Sequence, residues 1–434
     1  MLPSLPHSHS RTNTRTHIHA PYKIFATIEF GYFALSTIAG VILILFDRRP
    51  SRNDFDAHWS RAQQVASFQF LSTPDPSGSG DYGAISADGY FVPFNNTAIN
   101  SPFAYLPSML SGGHLRVACA LTLIVAVGFT TLAIHIAGQY KTLILGIAVL
   151  PIVFFSYLYP TADAMTNSFS LLFVAQILYL LQKESIRWKD ISLLALSALY
   201  LGQLKITLLC IAPLVFMLWR IQRNNTKAID WRMLIPLCCA CISNRIWAAL
   251  AASIPPSAVT TSSDYAEAQM EALMHPLKLL ASIFSSIVYP LDLTGDPYDT
   301  GRNIQLFTGA ETTQLPIAIM APILLTSVLL IVWHNAHLPR LTIIQRLILI
   351  AIVIIFYVLT CAGLIVSWGA PNLGGYAGGL QTRYFIPIFP IMALLMPNLG
   401  IEISPRAGRT LVTCLLAWSY AGILLAHLLP FPVM

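Results

Sequence analysis

Runs of about 20 mostly apolar residues, separated by short polar segments, recur along the whole chain. Each run is long enough to cross a hydrocarbon layer of about 30 Å as a helix. The pattern predicts spans near 24–46, 115–137, 142–158, 165–181, 191–204, 205–219, 233–253, 313–333, 347–367, 384–398 and 410–429. A further apolar stretch, 277–291, is short and bracketed by Pro276 and Pro290, and reads as an interfacial or re-entrant helix. The expectation is an all-α fold: a polytopic integral membrane helical bundle of about eleven transmembrane helices. Residues 24–46 are too long for a signal-peptide core and lack a small-residue cleavage site, so they read as a retained first span. Residues 1–23, rich in Ser, Thr, His and Arg, read as a disordered cytoplasmic tail, and 24–434 as a single transmembrane domain.

Composition supports this picture. Hydrophobic residues make up 56% of the 434, and charged residues only 10%, against about 25% in soluble domains. The formal charge of +6 lies in short clusters between apolar runs, without the basic stripe of a nucleic-acid face. The seven cysteines sit within or beside apolar runs and form no CxxC pair, so no disulfide framework is expected. His7, His9, His17 and His19 have no accompanying second ligand set, which favours a tail over a metal site.

Charge also sets an expected orientation. With the N-terminus inside, fifteen of the twenty-five Lys and Arg residues fall in short cytoplasmic segments, and fourteen of the nineteen acidic residues fall outside. This predicts a cytoplasmic N-terminus and an extracytoplasmic C-terminus. Two outer loops are long, 47–114 and 254–312, and every inner loop is short. No Gly-rich phosphate loop and no cytosolic domain are present to serve a nucleotide, which argues against ATP-driven transport by this chain alone.

Candidate chemistry gathers outside. Residues 53–70 read as a short amphipathic helix with Phe55, Trp59, Ala62 and Ala66 on an apolar face and Asp54, His58 and Arg61 on its neighbour. Acidic residues in a first helical turn favour the helix dipole without further role. Here Asp54 or Asp56 can also serve as a general base, with His58 beside them. Asp-x-Asp with a nearby His is compatible with a divalent cation, although none is required. The loop then turns polar and flexible through Pro74–Gly80, and 100–107 reads as a rigid segment in a packing role. Asp163 occupies a tight loop, as a turn residue or a binding group. Lys205, in a helix reversal, either snorkels to the interface or contacts a phosphate. Gln381, Arg383 and Tyr384 stand where a loop enters a span, as an interfacial anchor or a phosphate clamp. Arg245 falls inside a span, where a charge usually faces a cavity or partner.

Four segments resemble the membrane-protein family called domain of unknown function 2142: D-F-D-A-H-W at 54–59, S-P-F-A-Y-L-P at 101–107, A-D-A-M-T-N at 162–167 and Q-T-R-Y-F-I-P at 381–387. The last is the most specific. Phe55, Asp56 and Thr382 depart from the residues usual in that family, so Asp54 matches position for position while Asp56 is a shifted candidate. The family is similar in architecture to GT-C-like glycosyltransferases that use lipid-linked sugars and keep a carboxylate in the first outer loop. That resemblance implies a protein of the bacterial cytoplasmic membrane with a polyprenyl-phosphate-linked sugar as donor and an envelope glycan or lipid as acceptor. It implies transfer with inversion, Asp54 or Asp56 as base, and Arg61, Asp163, Lys205, Gln381, Arg383 and Tyr384 around the substrate. Membrane lipids would be the other partners, with no nucleic acid. A transporter or flippase of lipid-linked sugars, or a non-catalytic envelope-assembly subunit, are the competing expectations.

Overall fold

The computed structural model describes residues 22–46, 55–86, 88–219, 230–254, 262–288, 317–337, 341–368, 373–375, 377, 380–397 and 403–428. The chain is a mostly helical membrane protein. Its long helices are α1 (Tyr22–Phe46), α3 (Leu115–Ile136), α6 (Ala162–Leu181), α7 (Trp188–Gly202), α8 (Leu234–Leu250), α11 (Ile317–His337), α12 (Ile343–Trp368) and α14 (Pro405–Leu428). Among the described residues six helices are long and apolar enough to cross a membrane, at 28–46, 115–136, 162–181, 231–250, 343–366 and 406–428. Large apolar side chains such as Ile38, Ile124, Ile242 and Ile354 are exposed on these helices. In a bilayer that surface faces lipid, which costs nothing there.

Three of the remaining expected spans take broken forms, and proline is the reason. The expected span 142–158 divides into α4 (Lys141–Ala148) and α5 (Pro151–Phe155), because Pro151 cannot donate to a continuing helix. The expected span 205–219 is built from two 3-10 segments, Ile206–Cys210 and Ala212–Leu218, with Pro213 at the second start. The expected span 384–398 begins as a 3-10 turn, Thr382–Ile388, and continues as α13 (Phe389–Leu395). The stretch expected at 277–291 is α10 (Pro276–Val288), preceded by α9 (Ser262–Met274). Its 13 residues fall short of the roughly 20 that a crossing needs.

Side-chain contacts sort the helix ends into two groups. At one end Lys141 pairs with Glu29, Gln182 donates to the Ala137 carbonyl at 2.9 Å, and Lys183 pairs with Asp190 at 2.6 Å. At the other end Gln203 accepts from Ser101 at 3.0 Å and donates to the Ser243 carbonyl at 2.7 Å, and Trp247 donates to the Ile99 carbonyl at 2.8 Å. The chain therefore alternates direction through α6, α7 and α8. Where α7 and α8 cross, a Cβ on Gly202 would stand 2.2 Å from the Ala240 carbonyl oxygen. Only a glycine permits that approach. The central helix is α6, 83% buried over its crossing segment against 33–50% for the other five.

The first loop corrects the expectation of a flexible segment. A three-stranded antiparallel sheet fills it: β1 (Thr73–Pro74), β2 (Tyr82–Ile85) and β3 (Phe91–Pro93). The polar stretch between β1 and β2 is a closed turn, with the Asp81 carbonyl accepting from Asp75 N at 2.9 Å and the Asp75 carboxylate accepting from Ser77. Phe94 and Ala98 pack with Ala251 and Ile254, which seats the loop on the end of α8.

Candidate functional site

The site lies at the loop-bearing end of the bundle, beneath α2 (Phe55–Ala66). That helix buries a different face from the one its apolar residues suggest. His58, Arg61, Ala62 and Val65 are buried, while Phe55 and Trp59 are only half-covered. The reason is hydrogen-bond demand from the loop packed against it. Arg61 is fully buried and donates to Gln64, to the Phe70 carbonyl at 2.6 Å and to the Asn100 carbonyl at 3.0 Å. Burial draws its guanidinium down to about 10, so it stays charged at neutral pH. The structure thus places Arg61 as the internal tie of the loop, facing backbone carbonyls.

His58 points the other way, toward the bundle. Its Nδ1 lies 2.6 Å from the Tyr105 hydroxyl, which also accepts from Asn100 Nδ2 at 3.1 Å. Burial pulls its pKa down to about 3, with the field of Asp163 opposing and those of Lys205 and Arg383 adding. The ring is neutral at physiological pH. Tyr105, expected only to pack, is fully buried in the 3-10 segment Pro102–Leu110 and fixes the imidazole.

Three charged residues from distant parts of the chain meet below His58. Asp163 opens α6 and is buried. One carboxylate oxygen takes Lys205 Nζ, and the other takes the Arg383 guanidinium with Nε at 2.9 Å. The Tyr384 ring lies beneath both cations, 4.7 Å from Lys205 Nζ and 5.5 Å from Arg383 Cζ. Lys205 keeps 29% of its side chain exposed and Arg383 18%, against 7% for Asp163. The carboxylate is the enclosed anchor, and the cations retain reachable surface. Such a pair, fixed by a rigid carboxylate over an aromatic face, is suited to holding an anionic group such as a phosphate.

Gln381 is buried immediately before the turn that carries Arg383 and Tyr384. Asp56 is exposed in the first turn of α2, and Asp54 lies outside the described residues, as do Asn53 and the four N-terminal histidines. Arg245 is exposed on the outer face of α8, one to two turns from its end. Among the described residues it has no ion-pair partner there, and its long stem allows the charge to reach the interface. Among the described residues no group of three His, Cys, Asp or Glu side chains is placed to hold a metal ion.

The model of a family described as predicted membrane protein (DUF2142) matches residues 75–392. The chain belongs to that family. The matched region holds Tyr105, Asp163, Lys205, Gln381, Arg383 and Tyr384, so the ion-pair cluster is built from family sequence. Asp54, Asp56, His58 and Arg61 precede the matched region. No curated protein and no solved structure matches the chain.

Proposed function

We propose that this DUF2142 chain is a membrane glycosyltransferase that takes a sugar from a polyprenyl-phosphate donor at the extracytoplasmic face and transfers it to an envelope glycan or lipid. The observation that carries the reading is the convergence of Lys205 and Arg383 on Asp163 at the loop-bearing end of the bundle. In this reading the chain crosses a bacterial cytoplasmic membrane eleven times, in a GT-C-like arrangement, with its N-terminus inside. Lys205 and Arg383 hold the donor phosphate, and Asp163 keeps both cations aimed. Asp54 or Asp56 removes the proton of the acceptor hydroxyl. That oxygen forms a bond to the anomeric carbon as the carbon–oxygen bond to phosphate breaks, and the electron pair leaves with the polyprenyl phosphate. Direct displacement inverts the anomeric centre. His58 is neutral, so it orients through Tyr105 and adds no charge. The chemistry requires no metal, although a divalent cation is compatible with it.

The test compares envelope glycans and polyprenyl-linked sugars by mass spectrometry in cells lacking the chain and in cells carrying Asp54→Asn/Asp56→Asn or Lys205→Met/Arg383→Met. The expected result is a missing sugar together with an accumulated polyprenyl-phosphate sugar. Unchanged glycan at normal protein levels in both double variants refutes the reading.

A further inference from the structure

Beside the ion-pair cluster, three buried side chains present polar atoms that bond to nothing among the described residues: Thr166 Oγ1, Asn167 Nδ2 and Gln381 Oε1. Their residues are 3%, 1% and 8% exposed. An unmet buried donor or acceptor is destabilising, and native chains satisfy nearly all of them. Some polar neighbours obey that rule. On the same helix Ser168 donates to the Ala164 carbonyl at 2.7 Å and Ser170 to the Asn167 carbonyl at 2.8 Å. Gln203, a half-buried amide at the same end of the bundle, has both its oxygen and its nitrogen paired. Unmet polar atoms also occur elsewhere in the bundle, at Gln176, Ser327 and Thr360 among others; these three differ in standing next to the ion-pair cluster.

Their positions tie them to the site. Thr166 and Asn167 stand three and four residues after Asp163, on the same helix face and one turn deeper. Gln381 lies two residues before Arg383, on the segment that the Asp163 ion pair holds against α6. Their chemistry is neutral and mixed: two amides, each with a donor and an acceptor, and a hydroxyl that is both. A phosphate only accepts, and gains nothing from the Gln381 oxygen. A sugar hydroxyl donates and accepts, and uses all three.

We propose that Thr166, Asn167 and Gln381 form a subsite for the hydroxyls of a sugar whose phosphate is held by Lys205 and Arg383. This rests on the phosphate reading above and adds which residues select the sugar.

The experiment uses the full chain in lipid nanodiscs. Calorimetry measures binding of methyl phosphate and of a panel of hexose and pentose 1-phosphates to wild type, Thr166→Val and Asn167→Leu, with a thermal midpoint for each protein. Wild type is expected to bind at least one sugar phosphate ten-fold or more tighter than methyl phosphate. Each variant should cut that ratio at least five-fold, leave methyl phosphate within two-fold, and keep or raise the midpoint, because an unmet polar atom has been removed. A merely structural role predicts the reverse: a lower midpoint and an unchanged ratio. That result overturns the subsite and leaves the phosphate reading standing, as does a wild-type ratio near one across the panel. Absence of binding by every phosphate refutes the phosphate reading and the subsite with it.

Discussion

Replacing Asp163 by Asn tests the cluster most directly. The substitution keeps the size of the side chain and removes its charge, leaving Lys205 and Arg383 side by side without their shared anion. Removing one partner from a buried pair costs about 3–5 kcal/mol. An exposed pair is worth about 0–1 kcal/mol. Asp163 is enclosed, but the cations keep 29% and 18% of their side chains exposed, so water relieves part of the penalty. The low end of the buried range, about 3 kcal/mol, is therefore expected. That is roughly a hundredfold in the folded population. The assay is reversible unfolding of the purified chain in mixed micelles titrated with SDS at neutral pH. Adding Lys205→Met to Asp163→Asn removes one of the two opposed cations, and should recover about 1 kcal/mol or more of the loss. A single variant within about 0.5 kcal/mol of wild type, or losses that simply add in the double variant, refutes the cluster as a coupled unit.

Two further outcomes follow from geometry. His58 is held neutral, its pKa drawn from 6.5 to about 3 by burial. The unfolded chain binds this proton first as pH falls, so the stabilisation is complete above 6.5 and is lost toward 3, at about 1.4 kcal/mol per pH unit. His58→Asn should remove that slope between pH 6.5 and 5 in the same unfolding assay, and an identical slope in wild type and variant contradicts the assignment. Gly202→Ala drives a Cβ into the Ala240 carbonyl oxygen, and overpacking of this kind should lower stability by about 1–3 kcal/mol. An unchanged unfolding midpoint would show that α7 and α8 separate without penalty.

The long apolar runs were legible because nothing interrupts them: 115–137, 347–367 and 410–429 return as α3, α12 and α14 with shifts of a few residues. The runs near 142–158, 205–219 and 384–398 are equally apolar, but hydropathy does not register the backbone donor lost at Pro151, Pro213 or Pro387. Asp163, Lys205, Arg383 and Tyr384 were each visible as polar residues at span ends. Their convergence was not, since it depends on how α6 packs against segments far along the chain. The buried face of α2 differs from its apolar face because hydrophobicity ignores the bare carbonyls of Phe70 and Asn100 that Arg61 must satisfy. From sequence Tyr105 reads as a packing residue. Its signal was an aromatic hydroxyl in a proline-bounded segment whose partner, His58, stands 47 positions earlier. Gln381 is readable as a polar residue at a span end and Asn167 only as part of a motif, because an unmet hydrogen bond is a property of three dimensions.

The three charges of the cluster also have an order in time. Asp163 and Lys205 stand 42 positions apart, at the two ends of the α6–α7 hairpin, and emerge close together during synthesis. They can enter the bilayer as a mutually neutralised pair, which lowers the cost of bringing either charge to the membrane. Arg383 is made much later, and the aromatic ring beneath the cations arrives with it. A chain synthesised only as far as the region between α10 and α12 therefore carries a neutral hairpin without Arg383 or Tyr384. Completion of the polypeptide adds the second cation and turns the neutral pair into a three-charge cluster.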